Sequence, residues 1–333
     1  GGLEFLGLSN VGELPNPDYA PNIPHLAFAA FQMMFAIITP ALITGAFVER
    51  VRFKTFLVFS LLWATLVYDP VAHWMWGNGG ALRRVGALDF AGGTVVHIAA
   101  GFSALAFALV IGPRKGFKSA PIEPHNIPYS VLGASLLWIG WFGFNGGSAL
   151  AANGLAVTAL VNTNTAAAAA AGVWMLLSWW DNKPSVLGII TGAVVGLVAV
   201  TPAAGFVTPL AALVIGAIAA PISYYAMRLR QTSGLDESLD VWACHGMGGL
   251  WGALATGIFA TKAVNEAGAD GLLFGNPEQL AIQSLAAIVV IVFTFGMSYG
   301  LAKLLDVSIG LRVTENEEEV GLDISEHAER AYA

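Results

Sequence analysis

Charged side chains are scarce in this chain of 333 residues, which has 15 Lys and Arg and 22 Asp and Glu, together 11%. Soluble domains carry about 25% charged residues, so this supply could not cover a soluble globule of this size. The same scarcity argues against a disordered chain and against a nucleic-acid-binding protein, since both depend on charge. Apolar residues make up 56%, and glycines number 39. This composition indicates an integral membrane protein with closely packed helices.

Cysteine occurs once, at Cys244, which excludes an internal disulfide framework and an all-cysteine metal site. The common catalytic patterns HExxH, Walker A and the nucleophile elbow are also absent from the sequence. We therefore expect a protein that is not an enzyme, with no cofactor and no resident metal. Residues 1–25 lack the features of a secretory signal and are predicted to form a polar external loop.

Long apolar runs dominate the rest of the chain. A bilayer core about 30 Å thick requires about 20 mostly apolar residues per helix. The runs are too long for membrane β-strands and lack their two-residue alternation, and nine soluble core helices would need a polar shell that is missing here. The predicted fold is therefore an all-α integral membrane protein, a polytopic helical bundle. The nine predicted spans are 26–48, 55–76, 91–111, 128–148, 155–179, 185–201, 208–228, 241–261 and 280–304.

The cationic side chains are distributed unequally between the two sets of alternating loops. One set holds 12 of the 15, and the other holds only Arg83, Arg84 and Lys262. Because cytoplasmic loops carry the excess of Lys and Arg, we expect a multi-pass protein of the cytoplasmic membrane with its C-terminus inside. The 12 cations of the basic set are Arg50, Arg52, Lys54, Arg114, Lys115, Lys118, Lys183, Arg228, Arg230, Lys303, Arg312 and Arg330.

Two histidines lie within predicted spans, His97 in the third and His245 in the eighth. At 1.5 Å per residue they lie about 12 Å and about 8 Å from opposite membrane faces, so they can meet near the middle. Five spans and a reversal of direction separate them, as an inverted repeat would produce. An ionisable group at this depth suggests function. A core histidine bonded to a backbone carbonyl is the alternative for either one alone.

Two acids lie near the starts of these spans. Asp89 is about 12 Å from His97, too far to bond its ring, and is better suited to cap the helix through the amides of Ala91 or Gly92. Asp240 is expected to do the same for the eighth span.

Trp76 and Ser148 lie at the outer ends of the second and fourth spans. They suggest either interfacial anchoring or a cation–π site at an outer mouth.

Several longer stretches together resemble one family, the ammonium transporters of the Amt/Mep/Rh group. The resemblance runs from about Phe31 to Tyr332. It rests on FQMMFAIIT, GAFVERVRF, GALDFAGGTVVH, IGWFGFNGGS, VTPAAGF, CHGMGG and LRVTENEEEVGLDISEHAERAY. It implies an eleven-span protomer in a homotrimer, with one pore between two inverted five-span halves. Only nine spans are found here, so we expect that the first two family spans are missing and that residues 26–313 form the transport domain.

The resemblance also implies roles for particular residues. It makes the two histidines a hydrogen-bonded pore pair and Asp89 an acid needed for recruitment or folding. The implied gate is formed by Phe35 and Phe144, the outer recruitment site by Trp76, Ser148 and Phe31, and the pore lining beside the histidines by Trp141. Residues 314–333 would be a cytoplasmic tail that couples protomers and docks a PII-type signal protein.

Transport of ammonium or ammonia, with methylammonium as an analogue, is therefore the predicted function. A narrow apolar pore penalises any bare cation, and ammonium can escape that penalty by giving up a proton, whereas potassium cannot. The partners expected are membrane lipids and other copies of the chain, not nucleic acid. Two alternatives remain at this point. One is an ammonium sensor with the same fold, and the other is a membrane protein in which the histidines ligate haem.

Overall fold

The computed structural model describes residues 2–119 and 122–330 and is almost entirely helical. A short antiparallel pair, β1 (Pro15–Asn16) and β2 (Ala20–Pro24), precedes the helices. The helices are α1 (His25–Ile43), α2 (Phe53–Trp63), α3 (Asp69–Trp76), α4 (Ala81–Arg84), α5 (Ala99–Ile111), α6 (Ile127–Gly147), α7 (Gly154–Asp181), α8 (Val186–Val200), α9 (Pro209–Ser233), α10 (Gly248–Phe259), α11 (Pro277–Ile309), α12 (Glu315–Val320) and α13 (Leu322–Ser325).

Each of the nine predicted spans coincides with a helical segment. Seven of these segments are long and apolar enough to cross a membrane. Of the other two, α8 has 15 residues, and α10, with 12, continues directly from the helical turn Trp242–Met247. Large apolar side chains point outward along the helices, for example Leu136, Ile139 and Val292, as expected for surfaces that face lipid. The last three residues of the predicted tail, 331–333, lie outside the described residues.

Side-chain caps explain where four of the long helices begin. Asn126, Asn153, Ser185 and Thr208 precede α6 to α9, and each side chain accepts a hydrogen bond from the amide three residues later. These residue types satisfy the amides that a first helical turn leaves free. The ends of these spans are therefore fixed by local chemistry, and their apolar faces then determine which neighbours they pack against.

Two helices that meet at the centre of the bundle begin with a π-helical turn. Gly93–Ile98 leads into α5, and Trp242–Met247 leads into α10. Each π turn packs against the α-helical part of the other segment, so the two segments run past each other in opposite directions. Single π turns within helices often lie at functional sites. The predicted reversal of direction is present at this crossing.

Glycine permits the close crossing of these two segments. Gly101 and Gly249 each lie four residues after a histidine, and each faces the opposite segment. A Cβ atom at Gly101 would overlap the backbone of Gly246, and one at Gly249 would lie 2.9 Å from the Cβ of His97. Because backbone atoms cannot move aside cheaply, any larger residue at Gly101 would separate the helices.

Most of the basic loops gather at one end of the bundle, which we call the basic side. Arg50 is fully buried there and donates hydrogen bonds to the carbonyls of Gly112, Ala46 and Asp236. Burial lowers the pKa of Arg50 to about 10, which still leaves it protonated at neutral pH. One buried guanidinium thus joins three segments that are distant in sequence, and it holds the inner ends of several helices together.

The acidic tail packs onto this basic side. Thr314 and Glu317 form a reciprocal capping box that starts α12. Glu318 accepts hydrogen bonds from the backbone amide of Lys115 and from the guanidinium of Arg312. Glu326 accepts one from the amide of Phe53. The start of the tail therefore lies against the basic loops that contain Lys115 and Phe53.

Candidate functional site

The two histidines of the π turns contact each other in the interior. Their Nδ1 atoms are 3.2 Å apart, and their ring centroids are 5.2 Å apart. Only 1% of His97 and 8% of His245 is exposed. One ring must donate and the other accept across this contact. Nε2 of His97 has no hydrogen-bond partner within the described part of the chain. The pair therefore presents an imidazole nitrogen that a small donor or acceptor could use.

A series of aromatic rings leads from the histidines to the opposite side of the bundle. Trp141 stacks on His97 at 5.3 Å, and Phe144 lies 5.4 Å from Trp141. Phe35 then contacts Phe144 at 4.5 Å. We call these rings, together with Phe31 and Trp76, the aromatic track. The contact between Phe35 and Phe144 closes the aromatic track between its outer end and the histidine pair.

The outer end of the aromatic track opens into a cavity of about 500 Å³. Phe31 and Trp76 each lie next to Phe35, with centroids 4.9 and 5.5 Å away. The Ser148 hydroxyl donates to the carbonyl of Phe144 at 2.9 Å, so its oxygen can still accept a bond from a ligand. The cavity thus combines aromatic faces with a hydrogen-bond acceptor, the two features that suit a small protonated amine.

Asp89 supports this cavity without offering a free carboxylate to it. Its two oxygens accept four backbone amides, from Gly92, Gly93, Thr94 and Val95, at 2.7–3.1 Å. The predicted cap is therefore present, and it includes Gly92 but not Ala91. Gly92 has a φ of +112°, a conformation that favours glycine. The carbonyl of Asp89 also accepts the Trp76 indole N–H at 2.8 Å, which orients that ring.

The prediction that Asp240 caps the eighth span is wrong. Its carboxylate pairs with Arg230 at 2.6 Å. The amide of Trp242 at the start of the span is instead bonded to Glu237, at 2.7 Å. Spacing could have revealed this, because Asp89 and Glu237 both lie eight residues before their histidines. Proximity to the predicted start of the helix favoured the wrong acid.

The position of Trp141 depends on a residue that the sequence did not single out. Its indole N–H donates to the hydroxyl of Thr201 at 2.9 Å. Thr201 lies where α8 ends and the chain enters a turn, and its hydroxyl in turn donates to the carbonyl of Leu197. These bonds hold Trp141 beside His97. Thr201 lies in the stretch VTPAAGF, but nothing in that stretch indicates a bond to a tryptophan on another helix.

The geometry of the pair does not suit haem. The two Nδ1 atoms face each other within hydrogen-bond distance, which leaves no gap for an iron and its flat macrocycle. The backbones at Gly101 and Gly246 are in contact next to them. Axial histidines would need a ring-sized slot between them. The arrangement instead suits a molecule of a few atoms that hydrogen-bonds to imidazole.

Charge is absent along the inner part of the track. The rings of Phe35, Phe144 and Trp141 lead directly to the imidazoles, without an acid or base between them. A cation entering here would lose its hydration and gain no counter-charge, which is costly. A neutral molecule would pass at a smaller cost and could bond to the histidines.

The sequence is similar to known transport proteins. The sequence matches the model of the Ammonium Transporter Family over residues 5–332. It is similar to an ammonium transporter of Bacillus subtilis, with 51% identity over all of this chain and 82% of the relative. It is also similar to the ammonium transporter Amt1 of Archaeoglobus fulgidus, with 53% identity over the same shares.

Solved structures with the same fold are also found. Mep2 of Candida albicans matches with a TM-score of 0.89 and 37% identity, over 95% of this chain and 72% of that protein. A protein described as a sensor Amt protein matches with a TM-score of 0.85 and 34% identity, over 92% of this chain and 78% of that one.

Proposed function

The chain belongs to the ammonium transporter family, and from this premise we propose that the aromatic track and the histidine pair form its transport pore. It is a multi-pass membrane protein whose function is transport rather than catalysis. The observation that carries the proposal is the unbroken series of ring contacts from the 500 Å³ cavity to His97.

Recognition takes place in the outer cavity. Ammonium binds there against the faces of Trp76 and Phe31 and donates a hydrogen bond to the oxygen of Ser148. Aromatic faces attract potassium as well, but potassium has no proton to donate to the serine. Asp89 acts indirectly, because its carboxylate is occupied by four amides. It holds the start of the pore helix and orients Trp76.

Passage then requires the Phe35–Phe144 contact to open. Ammonium gives up a proton to water in the outer cavity before or at this point, because the uncharged track offers a bare cation no compensation. Neutral ammonia continues along Trp141 and hydrogen-bonds to the histidine pair. Potassium cannot become neutral and is rejected. The selectivity for ammonium over potassium thus arises because the rings of Phe35, Phe144 and Trp141 carry no charge that could stabilise a bare cation.

The orientation follows from the charge of the loops. The basic side, with Arg50, Arg114 and Arg312, faces the cytoplasm of a cell whose plasma membrane contains the protein. The cavity then opens to the outside, and the docked tail lies inside. Three copies assemble, each with its own pore, as the family resemblance implies. The exposed acids of α12 provide a surface on which a PII-type signal protein docks.

Replacing Trp76 tests the recognition step. Trp76→Leu keeps an apolar side chain but removes the electron-rich face, at a cost of about 0.5–2 kcal/mol of cation attraction. Uptake of methylammonium should fall more at low substrate concentration than at high concentration. The measurement is the initial rate of tracer uptake across a range of concentrations.

Trp180 provides the matched control, since it is 91% exposed at the end of α7 and is not one of the rings of the aromatic track. Trp180→Leu should leave the concentration dependence unchanged. An equal fall at all concentrations in Trp76→Leu would show that the change acts on folding or gating, and not on recruitment.

The tail is tested by deletion. Removing residues 314–333 eliminates Glu318, which bonds to both Lys115 and Arg312. We expect a membrane-inserted trimer that transports more slowly and no longer binds a PII protein. Uptake and pull-down of purified PII are the measurements. Pull-down at full strength would contradict docking on the tail, and unchanged uptake would contradict coupling between protomers.

A sensor function is the second candidate, because one structural neighbour is described as a sensor Amt protein. The pore is the feature that separates the two functions, since a sensor needs only to bind ammonium. Binding of methylammonium without measurable uptake would favour the sensor.

A further inference from the structure

The loop between α9 and the second π turn carries three acids, and only one lacks a cationic partner. Asp236 is paired with Arg114 at 2.8 Å, and Asp240 with Arg230 at 2.6 Å. Hydrogen bonds from Arg114 hold the pKa of Asp236 below its usual range, although burial acts in the opposite direction. Among the residues that the structure describes, no lysine or arginine nitrogen forms an ion pair with Glu237.

Glu237 is also the most enclosed of the three. Its exposed fraction is 0%. One carboxyl oxygen accepts the amide of Trp242, and the other has no hydrogen-bond partner in the described ranges. A buried carboxylate without a counter-charge is unstable, so burial favours the neutral carboxylic acid. The free oxygen is the position at which the proton would be held.

Asp89 holds the position in the other half of the molecule that corresponds to Glu237. Both acids precede a pore histidine by eight residues and begin equivalent helices. Asp89 accepts four amides with two oxygens, whereas Glu237 accepts one. Each bonded amide favours the charged form of an acid, so Glu237 has much less support for its negative charge than Asp89 has. The two halves of the molecule thus differ in how many backbone donors hold the acid at the start of the pore helix.

The charged and titratable groups around Glu237 agree with this difference. Burial raises the pKa of Glu237 to about 8, and the charge of Asp240 adds to this effect, whereas the amides of Trp242 and Val241 and the charge of Arg230 act against it. The thiol of Cys244 on the same helix is the other titratable group that interacts with it. A group with that pKa is about one-tenth ionised at pH 7 and about nine-tenths ionised at pH 9.

We propose that Glu237 is a proton-binding site at the cytoplasmic end of the pore, and that its charge controls passage through the helix that carries His245. At high cytoplasmic pH its O–H bond breaks, the proton goes to cytoplasmic water, and a carboxylate remains. At lower pH the reverse step restores the acid. Ammonia that leaves the histidine pair takes up a proton from cytoplasmic water, and the carboxylate attracts the ammonium that forms, so release into the cytoplasm slows. This coupling rests on the proposed function, whereas the proton site does not.

Infrared spectroscopy tests the proton site directly. Difference spectra of the purified protein between pH 6 and pH 10 should show the loss of a buried carboxylic acid band on raising the pH. Glu237→Gln should remove the band, and Glu237→Asp should keep an acid band with a shifted midpoint. Glu49→Gln, an exposed acid on the same side, is the control and should change nothing. A band that persists in Glu237→Gln would overturn the assignment.

Uptake at varied internal pH tests the coupling. Proteoliposomes are held at pH 7 outside, and the initial rate of methylammonium uptake is measured at internal pH 7 and 9. The unaltered protein should slow by up to about tenfold, following the ionised fraction. Glu237→Gln resembles the protonated acid and still accepts the Trp242 amide, so it should stay fast at both values.

The outcomes of the two experiments separate the two proposals. If uptake by Glu237→Gln slows at internal pH 9 as much as uptake by the unaltered protein, the coupling is wrong and the transport function still stands. An unaltered protein with no uptake at any internal pH would contradict the transport function. The infrared band would still decide whether Glu237 binds a proton.

Discussion

Replacing either pore histidine is expected to abolish normal transport or to degrade its discrimination against potassium. His97→Ala and His245→Ala each leave the partner ring without its 3.2 Å contact in a buried position. Loss of one such hydrogen bond, about 1.5 kcal/mol, corresponds to about tenfold in rate or selectivity. The measurement is methylammonium uptake with and without competing potassium.

His125 gives the matched control, because it lies in the exposed loop before α6. His125→Ala should transport and select like the unaltered protein. Both pore variants should still assemble, as judged by gel filtration. If both transport and select normally, the histidines do not act as a pore pair.

Loss of Asp89 should have the largest effect on stability. Asp89→Ala leaves four amides at the start of the pore helix without their acceptor. Loss of a cap costs about 0.5–2 kcal/mol, and each unsatisfied buried donor costs about 1–3 kcal/mol. We expect a total of at least about 2 kcal/mol, seen as a lower midpoint of thermal unfolding in detergent.

Asp270 is the matched control for Asp89. It accepts a single amide, from Lys262, in a loop on the same side of the molecule. Asp270→Ala should change the unfolding midpoint by much less. Comparable losses in the two variants would show that the four-amide cap is not the source of the stability of Asp89.

Much of the fold could be predicted from the sequence because the bilayer simplifies the problem. A length of about 20 apolar residues defines a span, and all nine predicted segments coincide with helices. The meeting of His97 and His245 also followed from depth alone, since helices of known rise fix the distance of each residue from the membrane face. These inferences need no knowledge of packing.

Contacts that depend on packing could not be predicted in this way. Thr201 bonds to Trp141, and Arg50 joins loops more than 180 residues apart. Thr201 lies in the stretch VTPAAGF and Arg50 in GAFVERVRF, but neither stretch indicates the distant residue to which its side chain bonds. The wrong choice of Asp240 over Glu237 has the same origin, because Arg230, ten residues earlier, takes Asp240 for itself. Which carboxylate an arginine pairs with depends on the three-dimensional positions of the helices, so the sequence alone could not identify it.

Uptake of labelled methylammonium into proteoliposomes, with and without an excess of potassium, tests the central claim most directly. We expect saturable uptake that unlabelled ammonium inhibits and potassium does not, because only a cation that can give up a proton becomes neutral and crosses the uncharged track. Uptake that potassium inhibits as strongly as ammonium, or no uptake above that of empty vesicles, would contradict it.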